Sequence, residues 1–429
     1  MRRGGFLAER EGNMEATVPL KGIKVADFCW IGAGPATIRY LAVWGATVVR
    51  VENHRYPDLL RIMYPYKDNK PGLNRAVWFA QLNSSTYGLS IDMNRPKGRE
   101  IALKLIEWAD LVTESFGPGT MKRWGLDYES VRKRRPDIVY FSSSQLGQTG
   151  PYATYIGYGH QAAAMGGLAY LTGWPDRLPI SYQGAYPDWT SPRFGAATML
   201  AALDYRKRTG KGVNIDLSQM ESTAHLLAPV IMDYLVNGRV AERAGNSVSW
   251  AVPHGVYPCQ GEDRWCAICI SEEEEWEAFA RTVGEAWAGD PRFSTFLARK
   301  KNEKDLDALI AQWTAKYEAM ELEVKLQKAG VPAAQVNTCR DVLEEDTQLK
   351  HRGYFRRLKH SVIGEHFYRG PAFQLSNATD AQFPGPALGE HNEYVCKELL
   401  GLSDEEIAQA IIEGGITTDA DAPPAISGF

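Results

Sequence analysis

The stretch from residue 23 to residue 52, IKVADFCWIGAGPATIRYLAVWGATVVRVE, decides the fold. Its apolar run at 23–28 reads as a strand, a glycine-bearing turn follows, 36–44 reads as a helix, and 47–51 reads as a second strand that runs into the acid Glu52. That is the opening of a βαβ unit. The turn half-matches a dinucleotide fingerprint: Gly32 and Gly34 are in place, but Thr37 stands at the third glycine position and Pro35 at the helix start. Such turns also serve tight strand-to-helix connections with no pyrophosphate present, so these residues leave a nucleotide or anion contact open without establishing NAD binding.

Outward from this unit the alternation recurs. An amphipathic helix at 96–109 precedes a strand at 111–114, GLDYESVRKRRPDIVYFSSS supplies another helix and strand, and a long small-residue helix after Ser191 leads through the turn at 209–212 into a further strand. Repeated βα units call for a parallel sheet covered on both faces. The pattern changes after Leu217, with helix at 220–237, two short strands around the turn 261–263, and charged helices up to Glu285 and at 303–328. Strand character returns near KAGVPAAQV and again at 355–373, and Ser403 with Glu406 forms a capping box for a last helix. The expected organisation is an N-terminal tail at 1–17, a large Rossmann-like domain at 18–219, a smaller α+β domain with linkers at 220–335, a return to the large domain at 336–417, and a loose tail at 418–429.

Composition narrows the class. The 429 residues are 44% hydrophobic and 23% charged, the balance of a globular chain, and a net charge of −4 gives no global basic field for nucleic acid. No run of eighteen apolar residues suggests a membrane span and MRRGGFLAEREGN lacks the apolar core of a signal peptide, so the expectation is a cytoplasmic protein. Of six cysteines only Cys266 and Cys269 have CxxC spacing, on a strand that turns them to alternate faces and with no nearby histidine, so buried thiols are expected and no metal site.

Three places carry candidate chemistry. Asp188, between Pro187 and Trp189, precedes a helix; it reads either as an N-cap, a role Thr190 or Ser191 could also fill, or as a carboxylate partly desolvated by Tyr182, Tyr186 and Trp189 and available as nucleophile or base. In ESFGPGTMKRWG, the turn Gly117–Gly119 exposes backbone N–H groups near Lys122 and Arg123, which suits a phosphate or an ordinary connection with solvated bases. His160 could act as a general base or sit as a structural residue.

Together the separated blocks LKGIKVADF, AGP, GATVVRVE, LSIDMNRPKGRE, ESFGPGTMKRWGLDYESVRKRRPDIVYFS, GYGHQAAAMGGLAYLTG, YPDWTSP and the late GEH at 389–391 resemble, over roughly residues 18–415, the family III CoA-transferases, which include formyl-CoA, carnitine and benzylsuccinate CoA-transferases and α-methylacyl-CoA racemases. The resemblance implies that the opening unit binds coenzyme A and not NAD. It places Asp188 at the family's catalytic aspartate, whose carboxylate attacks a donor thioester to give an acyl-aspartyl anhydride and then an aspartyl-CoA thioester. It places Trp30, Gly32 and Ala33 at the turn lining the CoA site, Ser115 and Phe116 at the strand end meeting the nucleotide, Arg123 at a phosphate contact and Tyr158 at the pantetheine arm. Asn53 and Asn94 stand at CoA-contact positions where some members carry a base, and Ile156 where some carry lysine; His54, Arg55 and Arg95 are the candidates to compensate.

The racemases pair the aspartate with a histidine whose position here falls on Gly157, which favours transfer, and the glycine-rich loop of the formyl enzymes is absent from the insert. Within the family the TGWPDRLP…GAYPDWTSP segment is most similar to the benzylsuccinate branch, with succinyl-CoA as donor and an arylsuccinate as acceptor. A racemase or epimerase and a noncatalytic sister subunit are the alternatives. The resemblance also implies an interlocked dimer, as a homodimer or with a related subunit.

Overall fold

The computed structural model describes residues 17–181 and 184–423. They form two compact units, one from the residues up to Ala169, Ser181–Arg239 and the chain from Lys350 onward, the other from Tyr170–Ile180 and Val240–Leu349. The sequence places the change of unit near Met220, earlier than the structure does. The helices α5 (Gln219–Leu226) and α6 (Ala228–Asn237) belong to the first unit: a Cβ added at Gly166 would lie 2.8 Å from Thr223 of α5.

The first unit holds a six-stranded parallel sheet in the order β3-β2-β1-β4-β5-β6. Its strands are β1 (Lys24–Phe28), β2 (Thr47–Glu52), β3 (Tyr87–Ser90), β4 (Leu111–Glu114), β5 (Val139–Ser144) and β6 (Val213–Ser218). The helices that cover it include α1 (Ala33–Val43), α2 (Pro96–Trp108) and α4 (Pro187–Thr209), and α3 (Gly159–Met165) packs against α4 and α5. Strand alternation sorts the core: Ala26, Phe28, Val49, Val51 and Val112 pack with Ile101 and Leu105 of α2, whereas Val25, Val48, Leu111 and Phe141 pack with Ile38 and Leu41 of α1 and Met199 of α4. Burial of both faces explains why the strands read as continuous apolar runs. Helices α1 and α4 approach closely because Gly195 lacks a side chain: a Cβ there would lie 2.7 Å from Thr37 and 3.0 Å from Phe141.

The strand order reverses between β1 and β4, the place where open α/β sheets present a crevice beyond the carboxyl ends of their strands. At the other side, β3 is an edge strand, and it is capped by residues some three hundred positions later. The His391 N–H donates to the Gly88 carbonyl at 3.0 Å, the Ser90 N–H to Asn392 Oδ1 at 2.7 Å, and the Thr417 N–H to the Ser90 carbonyl at 3.0 Å. The late GEH block is thereby an edge cover, which keeps other strands from pairing there.

In the second unit, a three-stranded antiparallel sheet of β7 (His254–Pro258), β8 (Trp265–Cys269) and β9 (Ala333–Gln335) packs with α7 (Glu273–Val283), α8 (Glu303–Thr314) and α9 (Ala319–Lys328). Trp276 and Phe279 on α7 and Leu306, Ile310 and Trp313 on α8 recur at helical spacing and fill its core, with the Phe279 and Trp313 rings edge-to-face at 5.7 Å. Cys266 is buried and Cys269 half-buried on opposite faces of β8, and among the described residues no three His, Cys, Asp or Glu side chains gather as a metal site.

The last helix, α10 (Asp404–Ile412), carries the capping box read from the sequence: Ser403 Oγ accepts from the Glu406 N–H at 3.2 Å, and Glu406 accepts from the Ser403 N–H at 2.8 Å. Residues 418–421 are tied down, unlike the loose tail expected from Thr418. Asp419 accepts from His54 Nε2 at 3.2 Å and Asp421 pairs with Arg55 at 2.7 Å. No helix among the described residues is long and apolar enough to cross a membrane.

Candidate active site

A cleft of about 110 Å³ opens at the carboxyl ends of β1, β4 and β5, lined by Trp30–Gly34, Ser115, Ser143–Gln145, Gly157–Gly159, Asp188 and Gln219. Of the residues singled out from the sequence it brings together Trp30, Gly32, Ala33, Ser115, Tyr158 and Asp188. Phe116 stands behind Trp30, edge-to-face at 5.6 Å. Asn94 and Arg123 are exposed and do not line the cleft. Tyr182 lies outside the described residues.

Asp188 is the second residue of α4 and does not cap it. Its carboxylate instead accepts a hydrogen bond from Gln219 Nε2 at 2.8 Å. Two glycines make room for it. A Cβ on Gly32 would lie 3.0 Å from Asp188 Oδ2, and one on Gly159 would lie 2.7 Å from Oδ1. Burial pushes the Asp188 carboxyl up to about 6, against the opposing pull of the Gln219 hydrogen bond and the His160 ring. Pro192, four residues on, carries no N–H to donate to the Asp188 carbonyl, so the helical ladder is interrupted at this residue.

The turn that presents Gly32 is held rigidly. Ser115 Oγ accepts the Trp30 N–H at 2.8 Å and donates to the Trp30 carbonyl at 3.1 Å, and the Trp30 indole donates to the Val51 carbonyl at 3.1 Å. Ile31 adopts φ +66°, a left-handed conformation costly for a β-branched residue, and its N–H is captured by Asp58 Oδ2 at 3.0 Å. Asp58 is itself locked to the buried Arg50 guanidinium, which also reaches Asp27 at 3.4 Å. Glu52, the acid that a dinucleotide fold would turn toward a ribose, binds Arg61 with both oxygens at 2.8 and 2.7 Å. This network is invisible to local pattern reading because its members meet only through the sheet.

Two further features went unread in the sequence. Ser144 Oγ and Gln145 Oε1 are buried without a hydrogen-bond partner among the described residues, and both residues line the cleft. Gln145 also fills the space next to Gly157, where a Cβ would lie 2.5 Å from Gln145 Oε1. Gly157 was read from the sequence as the position of the racemases' histidine, the only signal for Gly159 was the glycine spacing in GYGHQ, and for Gln219 and Gln145 there was none. Of the basic residues considered for phosphate contacts, Arg55 is paired with Asp92 at 2.7 Å and with Asp421, and His54 binds Ser90 and Asp419. Arg95 is exposed and only 3.9 Å from Asp92, and Lys122 and Arg123 are exposed with no carboxylate partner among the described residues.

A parallel sheet in this order, with a cleft where the strand order reverses, is of the nucleotide-binding α/β class. The match to the family model for CoA-transferase family III spans residues 20–392, and the chain belongs to the family III CoA-transferases. It is 31% identical to the succinyl-CoA–D-citramalate CoA-transferase of Chloroflexus aurantiacus over 91% of this chain and 96% of that protein. It is 30% identical to the succinate–glutarate CoA-transferase of Agrobacterium fabrum over 89% of this chain and 96% of that one. Among solved structures, a CAIB/BAIF family protein from Brucella suis matches with a TM-score of 0.81 and 31% identity, covering 90% of this chain and all of that one. The chain is thus an enzyme that uses an acyl-CoA as substrate and transfers its CoA.

Proposed function

We propose that the enzyme moves CoA from succinyl-CoA to an acceptor bearing two carboxylates, arylsuccinates such as benzylsuccinate among them, with Asp188 as the covalent nucleophile. The observation that carries this reading is the Asp188 carboxylate seated between Gly32 and Gly159 in the cleft. Dicarboxylate donors and acceptors are supported by the names of the Chloroflexus and Agrobacterium relatives. In the first step an Asp188 oxygen bonds to the thioester carbonyl carbon and the C–S bond breaks, leaving an aspartyl-succinyl anhydride and CoA thiolate. The thiolate then attacks the Asp188 carbonyl, releasing succinate and leaving an aspartyl-CoA thioester. The acceptor carboxylate attacks that thioester to form a second anhydride, and the returning thiolate takes the acceptor acyl group and frees Asp188.

The first-turn N–H groups of α1, at Ala33 and Gly34, have no acceptor within the helix and suit the oxyanions that form. Ser144 Oγ and Gln145 Oε1 supply polar partners for the pantetheine arm, together with Tyr158. Trp30, with Phe116 behind it, walls the thiol end, while Asn94, Arg95 and Arg123 remain candidates for the nucleotide phosphates. A second copy, or a related subunit, completes the assembly. Helix α6 supports this by exposing Ile231, Met232, Tyr234, Leu235 and Val236, the last two 68% and 74% exposed, more than a lone soluble chain ordinarily leaves uncovered.

The decisive experiment incubates the full-length enzyme with succinyl-CoA and a panel of acids, benzylsuccinate, citramalate, glutarate, carnitine and oxalate, and follows CoA thioesters and the Asp188 peptide by mass spectrometry. A new dicarboxylate thioester with a succinyl or CoA adduct on Asp188 is expected. Transfer with no adduct on Asp188 under any quench would remove the covalent mechanism. Loss of the α-proton of a 2-methylacyl-CoA in heavy water, without transfer, would move the assignment to a racemase, a reading that His160 near Asp188 favours and that the glycine at 157 opposes.

The pH dependence follows from the raised carboxyl. Only ionised Asp188 attacks, so kcat/KM for succinyl-CoA rises about tenfold per pH unit below about 6 and levels above it. Glu114, buried beneath Ser115 and pushed up to about 7, titrates close by. The acid limb should therefore persist in Glu114→Gln; its disappearance there would assign the limb to Glu114.

A further inference from the structure

A second cavity, of about 140 Å³, lies farther along α1 and α4 than the cleft and is lined on its other side by Tyr354 and by Arg369–Ala372. Arg39, Arg193 and Arg369 all line it, and none has a carboxylate partner among the described residues. Arg39 donates to Ser84 Oγ at 2.8 Å and to the Arg369 carbonyl, Arg193 donates to the Trp189 carbonyl, and the Arg369 guanidinium lies 5.9 Å over the Trp189 ring. The contrast with the rest of the unit is sharp. Buried Arg50 is matched by Asp27 and Asp58, buried Arg61 by Glu52, and Arg356 by Asp380. Burial, with Arg369 and Arg356 nearby, pulls Arg39 down to about 10, so the cluster already works against its own charge. Gathered guanidinium groups without a counter-charge are unfavourable until an anion joins them.

We propose that this cavity is a binding site for a small oxyanion, a carboxylate or a phosphate, held by Arg39, Arg193 and Arg369 against the Trp189 indole. At roughly 30 Å³ per water of the liquid, the space corresponds to roughly four or five waters, enough for such an anion. Arg39 lies five residues beyond Gly34, roughly 8 Å along α1, so the anion sits apart from the cleft but against the same two helices that present Gly32 and Asp188. The site is independent of the transfer reading and of its nucleophile.

The test titrates the full-length enzyme with inorganic phosphate and, separately, with succinate, following tryptophan fluorescence at constant ionic strength, for the wild type and for Arg193→Gln, Arg369→Gln and Asp188→Asn. Saturable binding by the wild type is expected, weakened about tenfold in each arginine variant and unchanged in Asp188→Asn. The anion that saturates names the class. Arg193 is exposed and its side chain bonds only within its own helix, so Arg193→Gln folds even if Arg369→Gln does not. No saturation in the wild type, equal affinity in Arg193→Gln, or loss of binding in Asp188→Asn would each overturn the proposal, the last by locating the probe in the cleft.

Discussion

Asp188→Ala and Asp188→Asn are expected to lose CoA transfer by at least about 10³-fold while the protein stays folded, because the residue removed is the proposed covalent nucleophile. The stability side makes the result diagnostic. The Asp188 carboxyl is held at about 6 against an ordinary 3.8, so above pH 6 its ionised form destabilises the fold by roughly 2–3 kcal/mol relative to the neutral acid. That cost is present in full above the raised value and fades as pH falls toward 4. An asparagine keeps the acceptor for Gln219 without the charge. Thermal unfolding at pH 7.5 should therefore find Asp188→Asn at least as stable as the wild type, with the gap closing near pH 4, even as transfer vanishes. Retained transfer in Asp188→Asn, after mass spectrometry excludes deamidation back to aspartate, would remove Asp188 from the chemistry.

Gly159→Ala is the second large effect expected, of about 10²-fold in kcat. Its methyl would lie 2.7 Å from Asp188 Oδ1 and equally close to Ala185 Cβ. Alanine is intrinsically better than glycine at the start of α3, so helix propensity does not predict a folding defect. The carboxylate, at the end of a side chain, rotates away, and a displacement of about 1 Å from the attack position is worth roughly two orders of magnitude. The double variant Gly159→Ala, Ala185→Gly relieves the clash with the Ala185 methyl and leaves the carboxylate half. If the double variant regains full kcat, the glycine serves the loop before α4 and not the position of Asp188. The corresponding change at Gly32 meets Oδ2 at 3.0 Å and should be milder.

The sheet was legible because parallel strands buried on both faces leave long apolar runs separated by amphipathic helices, and β1, β2 and β4 fall within a residue or two of where the periodicity places them. The capping box at Ser403 was legible because it is entirely local. The change of unit was misplaced because α5 and α6 look like the start of a helical domain, and only tertiary contacts such as Thr223 against Gly166 assign them. The aspartate was visible as a candidate, yet the residues nearest it, Gly159, Gln219 and Gly32, come from three segments far apart in the chain that no spacing joins. The left-handed Ile31 ran against every local preference, and only the Arg50–Asp58 pair beneath it accounts for its conformation.

The cover on β3 has a consequence for synthesis. As the chain emerges from the ribosome, all six strands are available by Ser218, but the groups that satisfy the β3 edge wait on His391, Asn392 and Thr417, with the whole second unit in between. Nascent chains therefore pass through a long interval in which an open parallel edge is exposed to neighbours on the same message. A chain that ends before residue 391 lacks every one of these edge partners, so truncated products are expected to aggregate more than the whole chain, which light scattering of the two would check.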